Sequence, residues 1–101
     1  MEKLKIAVIG TGLVGSFHAE AFYRNPQCEL TAICDIEERK VKEISSKFKC
    51  KYYTDFQSLI NNENLDAISI ATPEQTRYDP AILSANKNLK ILLEKPLGRN
   101  I

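Results

Sequence analysis

Apolar residues recur along this chain in two alternating rhythms. Short continuous runs alternate with stretches where apolar positions return at helical spacing. The first run, Ile6 to Ile9, predicts a buried strand. Val14, Phe17, His18, Ala21 and Phe22 then fall at i, i+3, i+4, i+7 and i+8, which predicts a helix with those residues on its inner face. Arg24-Asn25-Pro26-Gln27 stops that helix, because proline cannot continue it. Glu29 to Asp35, rich in apolar and β-branched residues, predicts a second strand. Glu37 to Lys47 predicts a helix with Val41 and Ile44 inward and charge outward. Lys51-Tyr52-Tyr53 is a short third strand, and Asp55 to Ile60 a short helix with Thr54 placed to cap it. After the polar loop Asn61–Asn64, residues Asp66 to Ala71 predict a fourth strand. Pro80 to Lys87 predicts a helix that tolerates Pro80 in its first turn, and Asn88 stands where a left-handed C′ residue is expected. Lys90 to Leu93 predicts a fifth strand, followed by Glu94-Lys95-Pro96-Leu97-Gly98.

Alternating strands and helices, with strands too apolar to face water, imply a parallel sheet covered on both faces. Right-handed crossovers leave few topologies. A Rossmann-type doubly wound α/β sheet in the order 3-2-1-4-5 fits; a flavodoxin-like order, 2-1-3-4-5, is the alternative.

The turn after the first strand favours the former. Gly10, Gly12 and Gly15 have G-x-G-x-x-G spacing, flanked by a strand and an amphipathic helix. Gly10 permits the tight turn, Gly12 lets a pyrophosphate approach the backbone, and Gly15 lets helix and strand pack closely. The amides and dipole of the helix start then favour negative charge. Asp35 lies 20 residues beyond Gly15, at the end of strand two. A carboxylate there can accept hydrogen bonds from both ribose hydroxyls of an adenosine and repel a 2′-phosphate, which favours NAD over NADP. The Asp35-Ile36-Glu37-Glu38 run also has capping-box spacing, so Asp35 is a helix N-cap candidate as well. Arg39 offers a guanidinium that keeps NADP possible.

Composition narrows the setting. With 101 residues there is room for one domain, and a net charge of +1 implies no general attraction to nucleic acid or membrane. No apolar run approaches the length of a membrane span. The chain opens directly into a strand, without room for a signal peptide, so the cytosol is the expected location. Cys28, Cys34 and Cys50 form no C-x-x-C pair, and their odd number points to reduced thiols. Cys34 reads as core, His18, the sole histidine, as a packing or helix-surface residue rather than a catalytic one, and no metal site is expected.

In an open parallel sheet, ligands bind beyond the carboxyl ends of the strands. Gly10, Asp35, Thr72-Pro73 and Glu94-Lys95 all follow strands directly, so four predicted strand ends converge on one rim. Thr72-Pro73 can also be a plain turn, and a lysine after a strand is usually solvated. Near a nicotinamide, however, Lys95 can hydrogen-bond a substrate hydroxyl and shuttle its proton if burial lowers its pKa.

Ala71-Thr72-Pro73 and Glu94-Lys95-Pro96-Leu97, with the glycine loop and Asp35, resemble the Gfo/Idh/MocA family of NAD(P)-dependent oxidoreductases, along essentially the whole chain. The resemblance implies that residues 1–101 are an NAD(P)-binding Rossmann domain of a dehydrogenase acting on a sugar, cyclitol or related hydroxyl or carbonyl compound. It implies that Lys95 is catalytic beside the nicotinamide and that Glu94 contacts or supports the nicotinamide ribose. It places Gly10, Thr11, Gly12, Leu13, Val14, Gly15, Asp35, Ile36, Ala71, Thr72 and Pro73 along the cofactor. The chain departs from the family pattern at Arg77, where histidine is common, and at Asn88, where glycine is usual. It ends at Ile101, before the further strand and α/β substrate domain of family members. A self-associating chain is expected, since the fifth strand then forms an open edge. A stand-alone dinucleotide-binding module, or an inactive fragment, is the alternative function.

Overall fold

The computed structural model describes residues 3–71 and 78–93. Five parallel strands form one sheet in the order β3-β2-β1-β4-β5. In chain order the elements are β1 (Leu4–Ile9), α1 (Leu13–Arg24), β2 (Cys28–Cys34), α2 (Glu38–Phe48), β3 (Lys51–Tyr53), α3 (Phe56–Asn62), β4 (Ala67–Ile70), α4 (Tyr78–Asn86) and β5 (Lys90–Leu93). The 3-2-1-4-5 order expected from the glycine turn is the one found.

The sheet separates two apolar layers. Val8, Leu30 and Ile33 pack with Ala19 of α1 and with Val41 and Phe48 of α2. Ala7, Ile9, Ala32, Cys34, Ile68 and Ile70 pack with Leu59 and Ile60 of α3, and Leu83 of α4 lies against them. Leu30 and Ile33 share a layer although they are three positions apart, which the strict alternation of a strand forbids. A bulge resolves this: Ile6 pairs with Leu30 but Ala7 with Ala32, leaving Thr31 as an extra residue. The bulge resets the parity of β2, so Ala32 and Cys34 turn to one layer and Ile33 to the other.

Four local expectations need correction. The inner face of α1 is rotated by about one residue from the predicted stripe: Gly15 and Ala19 are buried and His18 and Phe22 half-buried, while Ala21 is exposed and Phe17 is 62% exposed. The physical reason is Gly15, whose missing side chain makes it the point of closest approach and so sets the helix rotation. The cap of α3 is Asp55, which accepts a hydrogen bond from the Gln57 amide, rather than Thr54. A carboxylate is a stronger acceptor than a hydroxyl and compensates the orphan amides of a helix start. The N-cap of α2 is Glu37, without a side-chain cap bond, so Asp35 stands outside the helix. The loop predicted from Asn61 begins later, because α3 runs on to Asn62. The left-handed C′ position holds: Asn88 has φ 62°.

Leu59 is fully buried between α3 and the sheet, so Leu59→Ala is expected to cost about 2–5 kcal/mol, read as a shift of the urea midpoint at unchanged slope. Ile36→Ala, at a side chain 87% exposed, is expected to change stability by less than about 0.5 kcal/mol. Equal effects at the two positions would contradict the layering described.

Candidate functional site

The register of the sheet lines up three loop starts. Ile9 pairs with Cys34 on one side and Ile70 on the other. One residue further on, the Gly10 amide donates to the Cys34 carbonyl at 2.8 Å, and the Ala71 amide donates to the Ile9 carbonyl at 2.8 Å. The Asp35 amide donates to the Tyr53 carbonyl at 3.1 Å. Gly10, Asp35 and Ala71 therefore stand side by side on the carboxyl rim, held by the same ladder that builds the sheet.

Each glycine of the loop has a separate reason. Gly10 has φ 98°, a conformation that side-chain-bearing residues rarely adopt. A Cβ on Gly15 would lie 1.9 Å from the Gly10 carbonyl oxygen, so no side chain fits there. A Cβ on Gly12 would meet nothing within 4 Å. Gly12 is also the N-cap of α1; it supplies no side-chain cap, and the first turn of that helix carries no acidic residue. Open space at Gly12 therefore lies next to an uncapped helix start, an arrangement that suits a phosphate.

Asp35 is bound into this loop. Its Oδ2 accepts from the Thr11 amide at 2.8 Å and from the Thr11 hydroxyl at 2.7 Å, and its Oδ1 accepts from the Glu37 amide at 3.0 Å. Thr11 is fully buried with its hydroxyl turned to Asp35, and the Ser16 hydroxyl donates to the Thr11 carbonyl at 3.1 Å. A carboxylate offers about four acceptor positions, so one on Oδ1 is left for a ribose hydroxyl. Accepting both ribose hydroxyls requires the Thr11 hydroxyl to give way. Burial alone would push the Asp35 carboxyl up; the Thr11 hydroxyl, the Glu37 and Thr11 amides and the charge of Lys40 outweigh it and hold the group below its ordinary 3.8. The cation acting on Asp35 is Lys40, the neighbour of the Arg39 singled out from the sequence.

Next to Asp35, Ile36 leaves a large apolar side chain 87% exposed on the same rim. Leu13 and Val14 form the first turn of α1. Thr72, Pro73, Arg77, Glu94 and Lys95 lie outside the described residues, as do Pro96, Leu97 and Ile101. Ala71 and Leu93, the residues before Thr72 and Glu94, belong to the neighbouring β4 and β5 rim: Leu93 pairs with Ile70. Sequence reasoning missed the part of His18, whose Nδ1 is 2.9 Å from the buried Ser69 hydroxyl oxygen on β4. A polar residue inside the otherwise apolar Ala67–Ile70 run was the available signal. A cavity of about 570 Å³ lined by Lys5, Glu29, Lys49, Lys51 and Glu63 opens at the amino ends of the strands, away from the glycine loop.

The thiols follow their environments. Burial pushes Cys34 up to about 12, helped by the nearby Asp35 and Asp55 charges, which makes it a core residue and no nucleophile. All three cysteines are free. Among the described residues no group of His, Cys, Asp and Glu is placed to hold a metal, and no helix is long and apolar enough to cross a membrane.

Known proteins share this fold. The family model described as "Oxidoreductase family, NAD-binding Rossmann fold" (GFO_IDH_MocA) matches residues 4–101. The inositol 2-dehydrogenase of Rubrobacter xylanophilus is 34% identical over 99 residues, covering 96% of this chain and 28% of that protein. The crystal structure of myo-inositol 2-dehydrogenase from Lactobacillus plantarum superposes with a TM-score of 0.88 at 28% identity, over 99% of this chain and 30% of its own. GenD2 from gentamicin A biosynthesis, solved in complex with NAD, matches with a TM-score of 0.88 at 28% identity, over 96% of this chain and 28% of its own. The chain thus spans less than a third of the length of these relatives.

Two substitutions separate packing from ligand space. Gly15→Ala is expected to destabilise the fold by about 1–3 kcal/mol or more, since backbone must move. Gly12→Ala is expected to cost less than Gly15→Ala, at most about 1 kcal/mol from the poorer N-cap, and to weaken dinucleotide binding, read by calorimetry; the reverse pattern would contradict the assigned roles. Acid unfolding tests the carboxylate. The folded-state pKa of Asp35 is depressed, so its contribution is complete above about pH 4 and is lost as the pH falls through the lowered value. Asp35→Asn is expected to remove that component from the acid limb of the stability profile; superimposable acid limbs would refute it.

Proposed function

This chain belongs to the Gfo/Idh/MocA oxidoreductase family through its NAD-binding Rossmann domain, and from that premise we propose that it serves a dehydrogenase acting on a hydroxyl or carbonyl carbon of a cyclitol or sugar. The observation that carries the proposal is the braced carboxylate of Asp35 beside an uncapped helix start, on a rim with open space above Gly12.

Each residue has a part in this reading. The α1 amides and Gly12 receive the pyrophosphate, and Gly10 and Gly15 hold the turn against the helix. Asp35 accepts from the adenosine ribose through Oδ1, and Thr11 keeps the carboxylate aimed. Ile36 offers an apolar face to adenine, which accounts for its exposure. Ala71, Thr72 and Pro73 border the second nucleotide. Glu94 supports the nicotinamide ribose, and Lys95 holds and moves the proton of the substrate hydroxyl. The bound NAD supplies hydride exchange at its nicotinamide ring. The negative charge of Asp35 opposes a 2′-phosphate; Arg39 and Lys40 are the cations through which NADP remains a second cofactor. The substrate class is taken from the relatives, which include inositol 2-dehydrogenases. The free thiols support a cytoplasmic location.

Titration of the chain with NADH and NADPH tests the cofactor reading. NADH is expected to bind more tightly. Asp35→Ala is expected to weaken NADH by about 10- to 100-fold, the range of a lost hydrogen bond to a charged group, and NADPH much less. Equal wild-type affinities would overturn the preference. For the catalytic reading, Lys95→Ala in the active dehydrogenase is expected to lower kcat by about 10²- to 10⁴-fold with NADH affinity retained. An unchanged kcat would remove Lys95 from the chemistry.

A further inference from the structure

We propose that His18 is a positioning residue that holds the two halves of the cofactor site in register by tying α1 to β4. Helix α1 begins at the glycine loop, where the pyrophosphate and the adenosine side are received. Strand β4 ends at the rim where the second nucleotide is received. No rim contact between described side chains joins α1 to β4 by a hydrogen bond; the joint is made lower down, where His18 Nδ1 lies 2.9 Å from Ser69 Oγ.

The joint is well placed for this task. Ser69 is fully buried and pairs with Val8 at the centre of the sheet, so its hydroxyl is a fixed point. Ser69 and Ala71 project to the same side of β4, toward α1. A Cβ built on Gly15 would lie 3.5 Å from the Ala71 Cβ, so Gly15 faces Ala71 just as His18, one turn further along α1, faces Ser69. Gly15 controls how closely α1 approaches and which face turns inward; having no side chain, it offers no directional bond against sliding of the helix along the sheet. The directional bond from His18 supplies that restraint. The His18 ring also meets the Phe22 ring edge-on at 6.5 Å, which limits its rotation. Sliding α1 would displace its terminal amides relative to Ala71, and hence the pyrophosphate relative to whatever is held beyond β4.

The inference rests on the NAD reading above, and its test separates the two. NADH spans both halves of the site, whereas ADP needs only the glycine loop and Asp35. His18→Leu in the 101-residue chain is therefore expected to weaken NADH about tenfold, the size of one ordinary net hydrogen bond, while ADP weakens less than about twofold. His18→Asn, which keeps a polar atom near Nδ1, is expected to restore most of the NADH affinity; His18→Gln, whose polar atoms reach the position of Nε2, is not. Ser69→Ala is expected to act in the same direction, and the double variant His18→Leu/Ser69→Ala to bind NADH no worse than His18→Leu. Parallel loss of NADH and ADP, or NADH binding unchanged in His18→Leu, overturns the positioning role. Thermal melting of each variant shows that it is folded, and a variant that retains ADP binding has an intact adenosine half-site. A wild-type chain that binds ADP but gains nothing from the rest of NADH overturns the inference alone; one that binds neither overturns the cofactor reading with it.

Discussion

The approach of α1 to the end of β1 is the constraint from which the rest of the structure follows. Gly15 sits so close to the Gly10 carbonyl that a single methyl group would collide with backbone. That contact sets the depth and rotation of the helix at once. It turns Ala19 into the core and His18 toward β4, and it leaves Phe17 in water despite its apolar ring. It also places the uncapped start of the helix at the rim, where a dipole and the open space at Gly12 coincide. One steric fact at Gly15 therefore links packing of the first layer to the electrostatics of the site.

Asp35 is the second dependency, and in the proposed cofactor reading it serves structure and ligand together. A half-buried carboxylate needs partners to offset desolvation, and here the glycine loop provides them through Thr11. The same bonds order the loop before any dinucleotide arrives, so less ordering has to accompany binding. The cost is capacity: with three acceptor positions engaged internally, Asp35 has less left for the ribose than its residue type suggests. The loop is rigid because its carboxylate is partly used up, and these two properties cannot be varied independently.

The two faces of the sheet hold different kinds of contact. The side bearing α3 and α4 is purely apolar where Ile68 and Ile70 meet Leu59 and Ile60. On the other side, β4 presents Ser69, met by a histidine from α1. Apolar packing tolerates small sliding because dispersion is non-directional, whereas a buried hydroxyl left without its partner is penalised. The polar contact lies on the face that carries the glycine helix, the helix whose register the proposed role of His18 concerns.

The sequence by itself determined the element order, the parallel sheet, its 3-2-1-4-5 order and the cofactor class. These depend on local periodicity and on glycine spacing, which a single chain displays directly. Asn88 was legible for the same reason, since few residue types accept its backbone conformation. Only the tertiary structure decided the rotation of α1, because a stripe of apolar residues does not reveal that its neighbour Gly15 must face inward. It alone decided the bulge at Thr31, which is a property of pairing between β1 and β2 rather than of either strand. It assigned the α3 cap to Asp55 over its neighbour Thr54, and it removed Asp35 from the α2 cap, because that carboxylate is engaged by Thr11 and the Glu37 amide one turn before the helix. It brought Thr11 to Asp35 and His18 to Ser69, pairs 24 and 51 residues apart. Such contacts join side chains that no local rule relates, and they exist only once the sheet has placed its strands side by side.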